Sequence, residues 1–260
     1  MSVLSERRPA IRVAVVADSM KGGPMVPSSK TPSRERVAIL QWVASLGAVT
    51  AESLAEHECC GIASARAQLQ AAVRAGMLSC TRPLHAKPAL YAVTTAGLRA
   101  SGTLGVEPCR ITAANASHAI ACALAAARLE RAYPDHRVSG ERELRSAERA
   151  CGRPLASAAL GVGPDGATLL HRPDLVLWPA TGPGALPLAV EVELTVKAPR
   201  RLLGICMAWA RCRCVTGVLY LASPPVLRPL ARAIEQAQAN DRIVVLALGD
   251  TVTLTQTLST

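Results

Sequence analysis

The sequence predicts an α/β fold, α+β when the whole chain is counted. A helix-rich N-terminal part closes with a hairpin, and a C-terminal part is built on a central mixed sheet. Three observations carry this. Apolar residues recur at helical spacing through RERVAILQWVASLG and IASARAQLQAAVRAG. Two short β-type stretches, MLSCTRP and ALYAVT, flank a turn holding His85, Lys87 and Pro88. From His171 onward, strand-like and helix-like stretches alternate.

The 260 residues allow two domains, since domains run to roughly 100–200 residues each. Half of the residues are hydrophobic and only 18% are charged, so most of the chain is expected to fold. With three Trp, three Tyr and no Phe, the cores must be aliphatic, and aromatic platforms for single-stranded nucleic acid are not expected. A net charge of +10 favours a polyanionic partner, because each neutralised phosphate releases condensed counterions. No apolar run reaches the roughly 18 residues that span a bilayer, so a cytoplasmic protein with no membrane partner is expected. The nine cysteines are odd in number and scattered. Cys206, Cys212 and Cys214 lack the CxxC pairing of structural zinc sites, which leaves reduced thiols packed as small hydrophobes.

Residues 1–33 carry Gly-Gly-Pro, Pro-Ser-Ser and Thr-Pro-Ser with no sustained period, and read as a flexible basic arm. A first helix then sets Val37, Leu40, Val43, Ala44 and Leu46 on one face and stops at Gly47. Thr50 caps AESLAEHE, and the Cys59-Cys60-Gly61 turn leads into a third helix with Ile62, Ala65, Leu69 and Val73 inward, ended by Gly76. The hairpin follows, and Thr94 or Thr95 caps TAGLRAS.

This layout over residues 34–105 is that of a winged helix-turn-helix. Its third helix would enter a major groove, and its hairpin would lie along the backbone. Ser64, Arg66, Gln68, Gln70 and Arg74 fall on the outward face of that helix, with Arg82, His85 and Lys87 at the wing tip. They mix base-reading with phosphate-contacting side chains and make double-stranded DNA the expected partner. The alternative is a protein–protein module on which the same residues are merely solvated.

LGVEPCRITAA, residues 104–114, reads as a linker. Residues 115–253 form the second expected domain. NASHAIACALAAARLERAYP is an Ala-rich helix ended by Pro134, with Ile120, Leu124 and Leu129 among its apolar positions. A short extended piece and a strongly charged helical piece follow in HRVSGERELRSAERACG, and GVGPDG makes a turn. Then come the strand RPDLVLW, the strand LAVEVELTVK, the helix APRRLLGICMAWARCR, the β-branched run CVTGVLYLAS, the helix PPVLRPLARAIEQAQAN and the strand RIVVLALG.

Alternation puts Leu188, Val190, Val192, Leu194 and Val196 on one side of LAVEVELTVK, and Glu191, Glu193, Thr195 and Lys197 on the other. If this strand pairs with RPDLVLW as a hairpin, Asp174 lies opposite Glu191 or Glu193. Three carboxylates so placed repel one another unless a cation compensates them. Mg²⁺ or Mn²⁺ is one such cation and suits oxygen donors. An exposed charged sheet face, with no chemistry attached, is the other reading. His171 beside the strand can touch phosphate or serve structure, and Arg200 and Arg201 at the next helix start can contact a DNA backbone or be solvated.

Pro173-Asp174, a spacer, then Glu191-Val192-Glu193 with Lys197 resembles the PD-(D/E)XK pattern of the restriction-endonuclease-like superfamily. With GAVTAESLAEH…ALYAVTTAGL ahead of HRPDLVLWP…VEVELTVKAPRRL, the chain resembles replication-relaxation-type proteins over residues 34 to about 250. The resemblance implies a winged helix fused to a nuclease-like domain in a DNA-binding protein of a plasmid or mobile element, with Mg²⁺- or Mn²⁺-dependent cleavage or nicking. It makes Asp174, Glu191 and Glu193 the metal-binding acids, with Lys197 and an acid from the preceding helical region, Glu143 or failing that Glu141, completing the catalytic set. In one alignment Asp174 and Glu191 are the two acids, and Glu193 stands where lysine is usual. In the other Glu193 is the second acid, Thr195 replaces the lysine and Lys197 supplies the charge. The alternative function is a non-catalytic regulator or replication accessory protein whose nuclease-like domain serves partner binding or homodimerisation.

Overall fold

The computed structural model describes residues 33–103, 105–180 and 184–249. The arm expected over residues 1–33 lies outside them apart from Ser33. Helix α1 (Arg34–Leu46) begins where the Ser33 hydroxyl accepts the Arg36 N–H, and it ends at Gly47, whose φ of +90° suits glycine. Helix α2 (Ala51–His57) opens with a capping box between Thr50 and Ser53. Helix α3 (Ile62–Arg74) leads to strands β1 (Leu78–Thr81) and β2 (Leu90–Val93), which pair antiparallel. Of the two candidate caps of α4 (Thr95–Ala100), Thr94 takes the role by accepting the Gly97 N–H.

Leu40, Val43, Leu54, Ala65, Leu69, Tyr91 and Leu98 share one core. Ile62, expected inside, is 47% exposed in the first turn of α3, and Ala72 is buried further along the helix. An apolar residue at the helix entrance matches the helical period but lies beyond the reach of the core.

Helix α5 (Ala113–Ala132) starts inside the expected linker, where Asn115 Oδ1 accepts the Thr112 N–H at 2.8 Å. Its alanines let it pack in two directions. Ala123 and Ala127 join the core of the first helices, while Cys122, Ala125, Ala126 and Leu129 face the sheet. The expected helical and sheet-containing parts therefore sit in one compact unit. Polar contacts reinforce the joint. The Trp42 indole N–H and His57 Nδ1 both meet the Glu130 carboxylate, at 3.1 and 2.6 Å, with the two rings stacked at 4.2 Å. At Gly140 a Cβ would collide with the Ser45 carbonyl oxygen, so glycine is required where the end of the next strand meets α1.

The remaining elements are β3 (His136–Gly140), α6 (Glu141–Cys151), β4 (Ala158–Val162), β5 (Thr168–His171), β6 (Leu175–Pro179), β7 (Leu188–Glu193), α7 (Pro199–Arg211), β8 (Gly217–Ala222), α8 (Pro224–Gln236) and β9 (Ile243–Ala247). The central sheet has the order β3-β6-β7-β8-β9. Its first two pairings are antiparallel and its last two parallel, so it is mixed as expected. Strands β4 and β5 form a separate antiparallel pair around the GVGPDG turn.

The period-2 alternation of β7 decides what each face meets. Val190 and Val192 pack with Leu175, Leu177, Leu219 and Leu221 under α5. Ala189 belongs to the opposite core with Val176, Tyr220, Leu202, Trp209 and Leu230, under α7 and α8. Glu191 and Glu193 share that second face. Among the described residues no helix is long and apolar enough to cross a membrane.

Candidate functional site

Two places in the fold gather the residues singled out by the sequence. The first lies on α3 and the β1–β2 hairpin. Ser64, Arg66, Gln68 and Arg74 are exposed along α3, as are Arg82, His85 and Lys87 on the hairpin turn. Between helix and hairpin runs a groove of about 640 Å³ lined by Arg66, Gln70, Arg82 and Tyr91, with Glu52 at its edge. Gln70 is half-buried and donates to the Tyr91 hydroxyl at 3.0 Å, so its amide is already engaged by the fold. Arg66 stands 4.0 Å from Glu52, a contact between largely exposed groups that counts for little.

The second place is the end of β7. Leu175 pairs with Val190, so one further antiparallel step sets Asp174 opposite Glu191. Asp174 lies just ahead of β6, and its Oδ2 accepts the Val192 N–H at 2.8 Å, extending the ladder by a side chain where the backbone pairing stops. The same oxygen stands 3.3 Å from His118 Nε2, which also lies 3.1 Å from the Val192 carbonyl oxygen. Nε2 faces two acceptors and so carries a proton.

Glu191 is only 4% exposed. Its Oε1 accepts the Trp209 indole N–H at 3.1 Å and faces His171 Nε2 at 2.7 Å. Glu193, also buried, is ion-paired with Lys197. An exposed charged sheet face is therefore overturned for these two glutamates: both are buried, and Trp209 of α7 covers Glu191. Lys197 also differs from its expected place. Strand β7 ends at Glu193, and Lys197 returns to it from the turn before α7, while Thr195 in that turn is exposed.

The expected convergence of Asp174, Glu191 and Glu193 on one ion is not what the side chains adopt. Each carboxylate faces its own basic partner: His118, His171 and Lys197 respectively. Glu143 is ion-paired with Arg137 and lines a different groove, with Trp42 and His57. The other candidate, Glu141, is nearer: its N–H donates to the Asp174 carbonyl oxygen at 3.0 Å. Arg200 and Arg201 are exposed at the start of α7.

Electrostatics follow from burial and pairing. Burial pushes the Glu191 carboxyl above its usual range, with His171 pulling the other way. Burial also lowers the Lys197 ammonium, against the pull of Glu191 and Asp174. The hydrogen bond to Asp174 raises the His118 imidazole despite its burial. For His171 burial is outweighed by Glu191, and its imidazole is raised as well. The three acids are thus each paired with a base: Asp174 with His118, Glu191 with His171 and Glu193 with Lys197.

His118 and Cys122 took no part in the sequence expectations, yet with Asp174 they form a group whose ligand atoms all lie within 4.8 Å of one another and which could hold a metal ion. Their i,i+4 spacing in SHAIAC was the available signal, since it puts both side chains on one helix face. Trp209 gave no such signal, because it lies 18 residues beyond Glu191. Comparison of the chain with protein-family models, with curated proteins and with solved structures gives no match.

Proposed function

We propose that this chain binds duplex DNA, with α3 presented to a major groove and the β1–β2 hairpin laid along the backbone, and that the α/β part serves as a nuclease-like scaffold for this reader. The observation that carries the reading is the basic and amide lining of one groove by Arg66, Gln70 and Arg82, flanked by exposed Ser64, Gln68, Arg74, His85 and Lys87. Arginine and lysine supply phosphate contacts, while glutamine and arginine can read base edges. The setting implied by the resemblance is a plasmid or mobile element.

The test is fluorescence anisotropy on a labelled duplex. The paired substitution Arg66→Ala and Arg82→Ala is expected to weaken binding by about tenfold or more, since each replaced charge contact is worth of order 1 kcal/mol at this kind of interface. Unchanged affinity would contradict the assignment of the groove.

A second reading is Mg²⁺- or Mn²⁺-dependent nicking in the same domain. It is favoured by one observation: the β6–β7 register sets Asp174 opposite Glu191. In that reading Asp174 and Glu191 would hold the ion, and His171 would have to release Glu191 to it. Wild-type protein with Mn²⁺ would then relax supercoiled plasmid, and Asp174→Ala would abolish the relaxation. Wild type and variant equally inert on DNA that both bind would leave the scaffold reading standing alone.

A further inference from the structure

We propose that His118, Cys122 and Asp174 form a site for one borderline-soft divalent cation of the zinc class, which pins α5 to the junction of β6 and β7. The inference depends on neither DNA binding nor cleavage.

Helix α5 supplies two of the ligands one turn apart, and Asp174 is held in place from the other side by the Val192 N–H at 2.8 Å. Such an outer hydrogen bond fixes the orientation of a ligating carboxylate. His118 Nε2 stands 3.3 Å from Asp174 Oδ2 and 3.7 Å from Cys122 Sγ. Zinc bonds of about 2.0–2.2 Å to nitrogen and oxygen and about 2.3 Å to sulfur imply tetrahedral edges of roughly 3.3 Å for nitrogen–oxygen and roughly 3.6 Å for nitrogen–sulfur. The nitrogen–oxygen separation matches its edge, whereas Cys122 Sγ lies 3.5 Å from Nδ1 and 3.7 Å from Nε2, so the imidazole must turn to aim Nε2 at an ion shared with the thiolate, and the protons on Nε2 and on the thiol must leave.

The donor chemistry excludes the hard cations of the nuclease reading. Magnesium and calcium take oxygen donors, whereas imidazole with thiolate selects zinc and its transition-metal neighbours. The His118 side chain is 43% exposed, which provides a route in from solvent and room for water as a fourth ligand. Because α5 packs on both the first helical core and the sheet, an ion here braces the joint between them.

One other thiol pair must be separated from this site. Cys212 and Cys214 have sulfurs 3.2 Å apart and can bind soft ions themselves. The experiment is a Co²⁺ titration of the full chain under reducing conditions, following the thiolate-to-cobalt charge-transfer absorption. In the Cys212→Ser/Cys214→Ser background, in which the other substitutions are also made, the band is expected with a one-to-one endpoint that excess Mg²⁺ leaves intact. Cys122→Ser should lose the band, and His118→Gln should weaken binding by more than the roughly 100-fold typical of an outer-shell change. As a readout independent of absorption, Zn²⁺ should raise the melting temperature of that background but not of its Asp174→Asn variant. Absence of cobalt binding, a band that survives Cys122→Ser, loss of the band in Cys212→Ser/Cys214→Ser, or displacement by Mg²⁺ would each overturn the proposal.

Discussion

Glu148→Ala is expected to lower the free energy of unfolding by about 3–5 kcal/mol, the usual cost of breaking a buried ion pair from one side. Glu148 on α6 is buried and serves four donors. Its Oε1 accepts from the Leu155 N–H at 3.0 Å, the Ala156 N–H at 3.5 Å and the Ser157 hydroxyl at 2.5 Å, while Oε2 accepts from Arg172 Nε at 2.9 Å. The alanine variant strands the Arg172 charge and loosens the segment that enters β4. Urea denaturation measures the loss, and Glu148→Gln, which keeps shape and some acceptor capacity, should fall between wild type and alanine. A loss below about 1 kcal/mol in the alanine variant would place Glu148 among ordinary surface carboxylates.

Trp209→Ala is expected to cost a similar 3–5 kcal/mol, here through a cavity. Trp209 is fully buried between α7 and the sheet, meets the His171 ring edge-on at 5.7 Å and donates its indole N–H to Glu191. Trp209→Phe separates the two roles. It retains most of the ring while leaving Glu191 one donor short, which should cost about 1–3 kcal/mol. If phenylalanine proves as damaging as alanine, packing of the six-membered ring is not what holds α7 down.

The helices could be read from the sequence because their signals are local. Thr50 and Thr94 sit at helix starts, Gly47 and Gly76 follow helix ends, and the apolar period persists between them. Alternation along β7 was legible for the same reason, and it correctly set Glu191 and Glu193 on the face opposite Val190 and Val192. What covers that face was not legible. Alternation states which side chains share a side, whereas burial depends on Trp209 and His171, which reach the strand from α7 and β5. A Glu, Glu, Thr, Lys series therefore reads as solvated until tertiary packing is known.

Lys197 illustrates a second limit. Period-2 counting assumed that the strand continued past Glu193, but the strand stops there, and the lysine reaches Glu193 by the turn instead. Glu148 illustrates a third, since in the sequence it is one charge among several on a strongly charged helix, and only the loop 155–157 and Arg172 folding back over it bury it. The β4–β5 pair was hidden because its strands are short and only its turn carries a strong signal.

The DNA-binding role is tested most directly by measuring duplex affinity against salt concentration for wild type and for Arg66→Ala/Arg82→Ala. For wild type, log K should fall linearly with log salt, with a slope of about −0.9 per phosphate neutralised. The variant should bind more weakly, with a slope shallower by about one for each phosphate contact removed. An affinity for duplex DNA that does not respond to salt, or a variant whose affinity and slope match those of wild type, would contradict the role assigned to α3 and the β1–β2 hairpin.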